Sequence, residues 1–398
     1  MCCCSPSPRV ISRTCTPTLK ACPMSTTLKA DVAIIGAGIA GLSLATRLKQ
    51  ENPSAHVTLV GPEDLRPQRI STWIESNNTV PAFVKSCIDK QWSTWRFRDK
   101  FGNVYTQHAN TTYYAAIDGK RLKEQLEEHA KLLGIQRIKE RCDSVERTSM
   151  GYQFICKDQG AVSTQLVDTR PPAIPSTTIK QQFVGRIIRC DNPHEHTMPQ
   201  LMDFTARPIA NDGLTFVYTL PLSDHDLLIE ATTFSPTLYA QADYEACIGQ
   251  WIENHLAPNN AWQHIETESG ILPMGPVAPA DGTLARCGIA GGSSRASTGY
   301  AWHGTQRQIT QLAKAFALGA DLTTEQVYSY RARFMDTLFL RVLQHQPEAI
   351  YQLFMVMAKR LPGDTLAHFL CDEDGWRPCL RTIITAPKWP FIRALWQA

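Results

Sequence analysis

One short segment constrains the fold of this chain more than any other, the stretch DVAIIGAGIAGLSLATRLKQ at residues 31–50. An apolar strand, Val32–Ile35, leads into Gly36, Gly38 and Gly41 with the spacing G-x-G-x-x-G, and an amphipathic helix follows. Such glycines permit a tight turn, close approach of the backbone to a pyrophosphate, and packing of the helix on the strand. The helix N-terminus adds free amides. The segment therefore predicts a Rossmann-like dinucleotide-binding domain.

Further elements of the chain follow from similar patterns. Val57–Val60 is an apolar run that fits the second strand of a βαβ unit. Between Gly119 and Gly134, Leu and Ala recur at helical spacing over a charged face, and Gly134 predicts the end of that helix. From about Thr305 onward the pattern is mostly helical. These elements predict a mixed α/β chain with C-terminal helices.

Other contacts to the nucleotide are assigned from sequence position. Gly61 follows the second strand, where an acid for the ribose is usual, so Glu63, beside Asp64, is the nearest candidate. Lys120 and Arg121 open the later helix and either reach the phosphates or face solvent. We expect Glu63 and Arg121 to contact the cofactor.

A second glycine-rich segment, GIAGGSSRASTGYAW at residues 288–302, lies far downstream and just before a helix. FAD and NAD proteins share the first glycine turn, but flavoproteins of the hydroxylase type also have a late loop at the flavin ring. The segment therefore favours non-covalent FAD and assigns Gly291, Thr298 and Gly299 to it. The alternative is an ordinary surface loop.

The segment LLIEAT, residues 227–232, places the carboxylate of Glu230 in an apolar run. It follows a predicted hairpin turn at Ser223–Asp226. A buried carboxylate requires a partner or a proton, so Glu230 is either an exposed residue of an edge strand or an acid held in an apolar pocket. Asp203 is either a hairpin turn residue or an acid on the substrate side, and the structural role is favoured.

Strand alternation predicts which side chains surround this carboxylate. Leu228, Glu230 and Thr232 share one face, and Phe216, Tyr218 and Leu220 share a face of the partner strand. If the faces coincide, aromatic rings lie near the acid, and Phe216 and Tyr218 are then pocket residues rather than plain core. Tyr300, in the late loop, is a further candidate for this pocket.

Composition excludes several classes of protein. The 398 residues are 43% hydrophobic and 19% charged, which is typical of packed domains. A net charge of +3 without a basic stripe argues against nucleic acid. The 13 cysteines show no paired metal spacing, which fits a reduced, cytosolic protein without a metal site. No run of about 18 apolar residues suggests a membrane span.

The N-terminal residues 1–29 are predicted to form a disordered extension. They carry five cysteines and lack the apolar core of a signal peptide, and Met24 fits an alternative start. Acylation of Cys2–Cys4 is the other interpretation of this segment.

The ordered motifs of the chain resemble those of the lycopene cyclases, specifically the bacterial lycopene β-cyclase family of FAD-dependent carotenoid enzymes. Beyond the glycine fingerprint the motifs, in chain order, are STW (71–73), DTRPP (168–172), QQFVG (181–185), LMDF (201–204), FVYTLP (216–221), LLIEAT (227–232), GILPMG (270–275) and STGY (297–300). Their order and spacing make the resemblance specific, and it covers nearly the whole chain from Asp31.

The resemblance implies a Rossmann-like FAD-binding domain of the flavoprotein hydroxylase type, an inserted β-sheet substrate domain and C-terminal helices. The implied limits are an FAD-binding domain at 30–180 with strand excursions to the substrate side, a substrate domain at 181–275, a return to the FAD-binding domain at 276–320, and a helical region at 321–398.

The resemblance also implies a reaction. The acyclic ends of lycopene or a related carotenoid close to β-rings in a redox-neutral step that needs reduced FAD, with NADPH as reductant. Glu230 matches the proposed acid–base carboxylate of the family. The family often carries a second acid directly after it, where this chain has Ala231. Either a single carboxylate suffices, or another group, Glu268 or His303, shares the proton work.

Because such a substrate resides in the bilayer, we expect a cytoplasmic enzyme that docks on the membrane without spanning it. The C-terminal segment PKWPFIRALW offers apolar residues beside Lys388 and Arg393; the alternative is a helix packed on the protein body. The competing functions are an FAD-dependent monooxygenase, a polyene reductase or desaturase, and a flavin-binding protein without catalysis.

Overall fold

The structure is a computed structural model of the chain. It describes residues 28–396 except 65, 77–79, 158, 259, 276–283 and 374. The predicted N-terminal extension lies almost wholly outside the described residues, and so does the run Cys2–Cys4.

Strands predominate before residue 287 and helices after residue 301 in the described part of the chain. The strands are β1 (Leu28–Ile35), β2 (Val57–Val60), β3 (Arg69–Glu75), β4 (Ile88–Trp92), β5 (Thr94–Arg98), β6 (Val104–His108), β7 (Thr112–Asp118), β8 (Gln136–Ile138), β9 (Ser144–Thr148), β10 (Gly151–Cys156), β11 (Gln159–Asp168), β12 (Ile179–Cys190), β13 (Gln200–Asp203), β14 (Leu214–Pro221), β15 (Asp226–Ser235), β16 (Trp262–Met274) and β17 (Ala285–Arg286). The helices are α1 (Ile39–Glu51), α2 (Ala82–Lys85), α3 (Gly119–Leu132), α4 (Gln241–His255), α5 (Trp302–Ala317), α6 (Tyr330–His345), α7 (Pro347–Arg360), α8 (Gly363–Cys371), α9 (Trp376–Thr385) and α10 (Lys388–Trp396), with a 3-10 turn at Gly288–Gly291.

The first sheet has the strand order β8-β2-β1-β11-β10-β9, with β17 beside β11. β1 pairs in parallel with both β2 and β11, so the turn after Ile35 lies at the carboxyl edge of the sheet. Val32 and Ile34 share a buried cluster with apolar residues of α1, α3 and α5. This arrangement confirms the predicted Rossmann-like unit, including the strand at Val57–Val60.

Helix α3 shows how the local sequence sets its ends. The side chain of Asp118 caps the first turn by accepting a hydrogen bond from the backbone N–H of Arg121 at 3.0 Å. Gly134 follows the last turn with a positive φ of 70°, which favours glycine. Leu122 and Leu126 are fully buried on one side. The helix predicted between the two glycines is confirmed.

The second sheet has the order β16-β12-β15-β14-β13-β5-β6. One face, with Val184, Val217 and Ile229, packs against α4. The opposite face, with Leu220 and Leu228, belongs to a large cluster that includes residues of α6, α7 and α8. The central hairpin β14–β15 turns at the predicted place, because Leu222 N–H donates to Asp226 O at 2.9 Å.

A third sheet, β3-β7-β4, contributes Trp73 and Tyr114 to the same cluster as Leu228. The second sheet runs over Ile179–Met274 and also takes in β5 and β6 from earlier in the chain. The domain limits given above remain predictions. Helices α7 and α8 pack on strands of the second sheet, and α6, α9 and α10 pack on the other C-terminal helices.

Candidate active site

The glycine fingerprint has the backbone geometry that its three positions require. Gly36 has a φ of +114°, and a Cβ there would lie 2.4 Å from Thr169 Oγ1. A Cβ on Gly41 would lie 1.9 Å from the carbonyl oxygen of Gly36, so the helix packs directly on the turn. A Cβ on Gly38, by contrast, would meet no atom within 4 Å. The turn is therefore closed at two glycines and open at the one expected to face a pyrophosphate.

The amino end of α1 fits an anion as well. Its N-cap, Gly38, makes no side-chain capping bond, and the first turn holds no acid. The positive end of the helix dipole and its first amides therefore face the open side of the turn.

The late glycine-rich loop lies between the nucleotide-binding unit and the second sheet. A Cβ on Gly288 would lie 2.8 Å from the Cβ of Ala40 in α1. At the other end of the loop, Gly299 has a φ of +72°, and a Cβ there would lie 2.4 Å from Gln181 Oε1 of β12. The loop therefore contacts α1 at one end and β12 at the other, while the predicted domain limits around it remain predictions.

The other residues assigned to the late-loop site have these local contacts. A Cβ on Gly291 would lie 2.7 Å from the carbonyl oxygen of Arg286, so the 3-10 turn is tightly packed. Thr298 Oγ1 accepts a hydrogen bond from the N–H of Tyr300 at 3.4 Å. These contacts describe how the loop is held, and a cofactor role for its residues remains a prediction.

Glu63 and Arg121 already have protein partners. Glu63 is exposed, pairs with Lys139, and lines a cavity of about 240 Å³ together with Ala37 of the fingerprint turn. Arg121 Nη2 donates to Asp89 Oδ1 at 2.6 Å. Glu63 thus lies beside the nucleotide turn, while Arg121 is held toward β4. Their predicted roles toward a cofactor remain predictions.

The central feature of the second sheet is a pair of carboxylates on one face. Glu230 of β15 and Glu268 of β16 both pair with Gly185 of β12, which lies between them. A Cβ on Gly185 would lie 3.0 Å from Glu268 Cγ and 3.4 Å from Glu268 Oε1. The missing side chain therefore lets the two acidic side chains approach each other across β12.

The surroundings of Glu230 favour its protonated form. Burial raises the pKa of Glu230 to about 8, and the nearby charge of Glu268 acts in the same direction. The Thr232 hydroxyl donates to Glu230 Oε1 at 2.8 Å, which opposes part of this rise. Glu230 retains some accessible surface although protein atoms enclose it, so a group at least as large as water has space beside it.

Glu268 is held from its other side by Arg69. The backbone N–H of Arg69 donates to Glu268 Oε2 at 2.6 Å. Burial raises the pKa of Glu268 to about 7, against the lowering effect of that hydrogen bond and of the Arg69 guanidinium. Because the two acids interact, their protons are taken up and released as a pair near neutral pH.

A chain of hydroxyl groups lies near the acid pair. Tyr218 lies directly opposite Glu230 on β14. Its hydroxyl donates to Ser71 Oγ at 2.7 Å and lies 3.0 Å from the hydroxyl of Tyr114. Burial raises the pKa of Tyr218 well above its ordinary value, so the phenol stays neutral. The predicted coincidence of the faces of β14 and β15 is confirmed by this register.

Aromatic rings enclose this hydroxyl chain. The ring of Trp73 lies 4.8 Å from that of Tyr114 and 5.2 Å from that of Tyr300, measured between centroids. Phe216 lies one row further along the sheet, opposite Thr232, and packs on Phe234 at 5.2 Å. Tyr218 and Tyr300 are thus near the acid pair, whereas Phe216 lies in the adjoining aromatic core.

His303, in the first turn of α5, contacts the backbone of Trp73 and the side chain of Glu373. Its Nε2 is 2.8 Å from the carbonyl oxygen of Trp73, and its Nδ1 is 3.3 Å from Glu373 Oε1. Of the two candidate partners for Glu230, the structure therefore brings Glu268 to the pair, whereas His303 contacts Trp73 and Glu373.

Ala231 and Asp203 both lie toward α4, on the opposite face of the second sheet from Glu230. Ala231 is fully buried in the cluster formed with α4, so its side chain points away from Glu230. Asp203 accepts from Trp251 Nε1 at 3.1 Å and from Arg98 Nη1 at 3.2 Å, which confirms its structural interpretation. The second acid is supplied by β16, two strands away from β15, rather than by the next residue.

Comparison with known proteins identifies the family of this chain. Residues 31–394 match the family of lycopene cyclase proteins. The chain belongs to the lycopene cyclase family. Similar members include a lycopene beta-cyclase of Pantoea ananas, 25% identical over 92% of this chain and 97% of the relative, and one of Pseudescherichia vulneris, 28% identical over 68% and 70%.

Solved structures with the same fold are flavoproteins and related proteins. A geranylgeranyl bacteriochlorophyll reductase-like protein of Thermoplasma acidophilum has a TM-score of 0.61 at 14% identity, covering 92% of this chain and 99% of its own. HpxO of Klebsiella pneumoniae, solved with FAD and uric acid, has a TM-score of 0.59 at 14% identity, covering 91% and 98%. At this identity the likeness establishes the fold, which is that of the FAD-dependent hydroxylases.

Several residues of this lycopene cyclase family site were not singled out from the sequence. Gly185, Ser71, Tyr114 and Arg69 contact the acid pair or its hydroxyl chain only in the folded protein. Ser71 and Gly185 do lie in the motifs STW and QQFVG, which was the available signal. Tyr114 of β7 and Arg69 of β3 carried none, because these strands form a separate sheet that meets the acid pair only through tertiary contacts.

Proposed function

We propose that this protein cyclises the acyclic ends of lycopene or a related carotenoid to β-rings in a redox-neutral, acid–base reaction, and so acts as an intramolecular lyase or isomerase. The observation that carries the proposal is the pair Glu230 and Glu268, two buried acids with raised pKa values on an aromatic face. Family membership supplies the substrate class.

The first step needs a proton for an unactivated double bond. A carboxyl group that stays protonated near neutral pH is the acid that a protein can offer there. Glu230 donates that proton to the terminal double bond and forms a C–H bond and a carbocation. The negative charge of Glu268 raises the pKa of Glu230 and so keeps the proton available.

The ring then closes when a nearby double bond donates its electron pair to the cation. Loss of one ring proton to the Glu230 carboxylate completes the reaction and regenerates the acid, so the product is an isomer of the substrate. The rings of Trp73, Tyr218 and Tyr300 lie where they can face the cation, each contributing on the order of 1–2 kcal/mol in a dry site.

The fingerprint turn and late loop fit FAD. Gly36, Gly38 and Gly41 would hold the pyrophosphate with the amides of α1, and Gly291, Thr298 and Gly299 lie in the loop that spans from α1 to the second sheet. Reduced FAD, with NADPH as its reductant, would supply a fixed negative charge near the developing cation.

Oxidation or reduction of the substrate is the second candidate function. It is favoured by the fold alone, since proteins of this fold include p-nitrophenol 4-monooxygenase PnpA of Pseudomonas putida, with a TM-score of 0.60 at 11% identity, covering 94% of this chain and 98% of its own. The acid pair favours cyclisation, because a redox reaction has no need of a proton held by two buried carboxyls.

Product mass separates these functions in one experiment. The chain is expressed in a lycopene-accumulating host, and the pigments are separated and weighed by mass spectrometry. Cyclisation gives new pigments of unchanged mass, oxygenation adds the mass of oxygen, and desaturation removes hydrogen. New pigments with altered mass would refute the proposed reaction.

We also propose that α9 and α10 dock the protein on a lipid bilayer. Both helices expose large apolar side chains: Trp376, Leu380, Ile383, Ile384, Trp389, Ile392, Leu395 and Trp396. Residues 376–396 contain Arg377, Arg381, Lys388 and Arg393 and no acid, which suits anionic headgroups. In the part of the chain that is described, each helix is too short or too polar to cross a membrane.

A further inference from the structure

A cluster of potential metal ligands lies where the end of β3 meets the end of α8. One ligand atom each from Glu75, His368 and Glu373 lies within 4.8 Å of the others. The Nε2 atom of His368 is 3.8 Å from Glu75 Oε1. The residues come from the end of β3 and the end of α8, which are far apart in sequence. This separation explains why sequence spacing indicated no metal site.

His303 adds a fourth potential ligand atom, the second nitrogen donor, next to this cluster, and its tautomer is fixed by the fold. A carbonyl oxygen only accepts, so Nε2 carries the proton that is donated to Trp73 O at 2.8 Å. In the neutral ring, Nδ1 then holds a lone pair 3.3 Å from Glu373 Oε1. Two electron-rich atoms at this distance repel each other unless a proton or a cation lies between them.

The spacing of the two atoms fits a cation between them. Their separation of 3.3 Å is close to the roughly 3.4 Å expected between two ligands of a tetrahedral zinc ion with bonds of about 2.0–2.2 Å.

We propose that Glu75, His368 and Glu373 bind a divalent transition-metal ion, with Zn²⁺ as the fitting ion and His303 as its fourth ligand. Two imidazoles and two carboxylates are the donor types that zinc accepts. Arg307 Nη2 lies 3.8 Å from Glu373 Oε1, but its single positive charge leaves the two carboxylates with a net negative charge for a divalent cation.

The role of this ion is structural. It would join the end of β3, the start of α5 and the end of α8, and so fix the backbone that carries Trp73. Trp73 in turn packs on Tyr114 and Tyr300. The proposal requires no particular chemistry at Glu230 and stands apart from the proposed function.

Zinc binding to the full-length protein tests the site. Purified protein is stripped with a chelator and titrated with Zn²⁺ while melting temperature and bound zinc are measured. Because the ligands come together only in the folded chain, zinc should raise the melting temperature, by about 3 °C or more at saturation. Zinc bound by the cysteines of residues 1–27 would not raise the melting temperature if it binds the folded and unfolded chains equally tightly.

Substitutions assign the effect to the cluster. His368→Gln and Glu373→Gln should lower zinc affinity at least about tenfold and remove the rise. Glu75→Asp keeps the charge and should give an intermediate loss in a folded protein. His345→Gln and Glu325→Gln, both at exposed positions, are the matched controls. The proposal is overturned if zinc does not raise the melting temperature of the wild type, or if Glu75→Asp and the other variants respond as fully as the wild type.

Discussion

Glu230 and Glu268 lie on β15 and β16, two strands apart, and meet across Gly185 of the strand between them. Burial raises the pKa of Glu230, and the nearby charge of Glu268 raises it further. The absence of a side chain at Gly185 therefore helps to keep a proton on Glu230.

Glu230→Gln should lower cyclisation by at least the roughly 10²-fold typical of a lost general acid. The amide keeps the shape and accepts the Thr232 hydrogen bond, so flavin content and melting temperature should stay near wild type. Cyclised pigment per unit of purified protein is the measurement, and Glu253→Gln, on the exposed side of α4, is the control. Normal cyclisation by Glu230→Gln would make the carboxylate structural.

Glu268→Gln tests the pair rather than the donor. Removing its charge should lower the pKa of Glu230, so the loss of activity with rising pH should begin at a lower pH than in the wild type. The pH profile of cyclisation by purified, flavin-loaded enzyme is the measurement. An unshifted profile would show that the two acids act independently.

Gly185→Ala should reduce cyclisation because the new Cβ lies 3.0 Å from Glu268 Cγ and 3.2 Å from Leu228 Cδ1. The carboxyl groups must then move apart by a few tenths of an ångström, and a stability loss of about 1–3 kcal/mol is expected from overpacking. Gly249→Ala is the control, since a Cβ there meets no atom within 4 Å in helix α4 and should be neutral or stabilising. Equal behaviour of the two variants in activity and thermal melts would contradict this role of Gly185.

Ala231→Asp should not restore activity to Glu230→Gln. Ala231 faces the buried cluster with Tyr244 and Cys247 of α4, so an acid there is desolvated on the wrong side of the sheet. The double variant should be inactive and less stable than Glu230→Gln by a few kcal/mol. Pigment analysis and thermal unfolding check both outcomes, and a rescued activity would show that the strand can turn this side chain toward the substrate.

Stability should depend on pH in a way set by the acid pair. The pKa values of Glu230 and Glu268 are raised in the folded state above the ordinary 4.5, so the folded protein binds more protons than the unfolded one. Stability from this source is therefore full below about pH 4.5 and is lost as pH rises toward 7–8. Thermal melts from pH 5 to 8 should show a smaller decline for the double variant Glu230→Gln, Glu268→Gln than for the wild type; parallel curves would argue against the raised values.

Trp389→Ser with Trp396→Ser should weaken sedimentation with anionic liposomes while leaving bound flavin unchanged, because both rings are exposed on α10. Phe101→Ser with Leu132→Ser removes two equally exposed apolar residues elsewhere and is the matched control. Truncation after Pro387 should have the larger effect. Unchanged liposome binding by the truncated protein would remove α10 as a docking element.

The sequence by itself determined the local elements of this protein. The glycine turn, the strand Val57–Val60, helix α3 and the β14–β15 hairpin depend on residues close together in the chain, and their patterns were sufficient. The placement of Tyr218 opposite Glu230 followed from the hairpin for the same reason.

Only the tertiary structure decided which acid accompanies Glu230. Ala231 and Glu230 are adjacent in sequence, but strand alternation sends them to opposite faces. Glu268 is 38 residues away and reaches the site because β15 and β16 both pair with β12, and because Gly185 leaves room between them. Contacts between distant segments depend on sheet order and packing, which a local pattern does not encode.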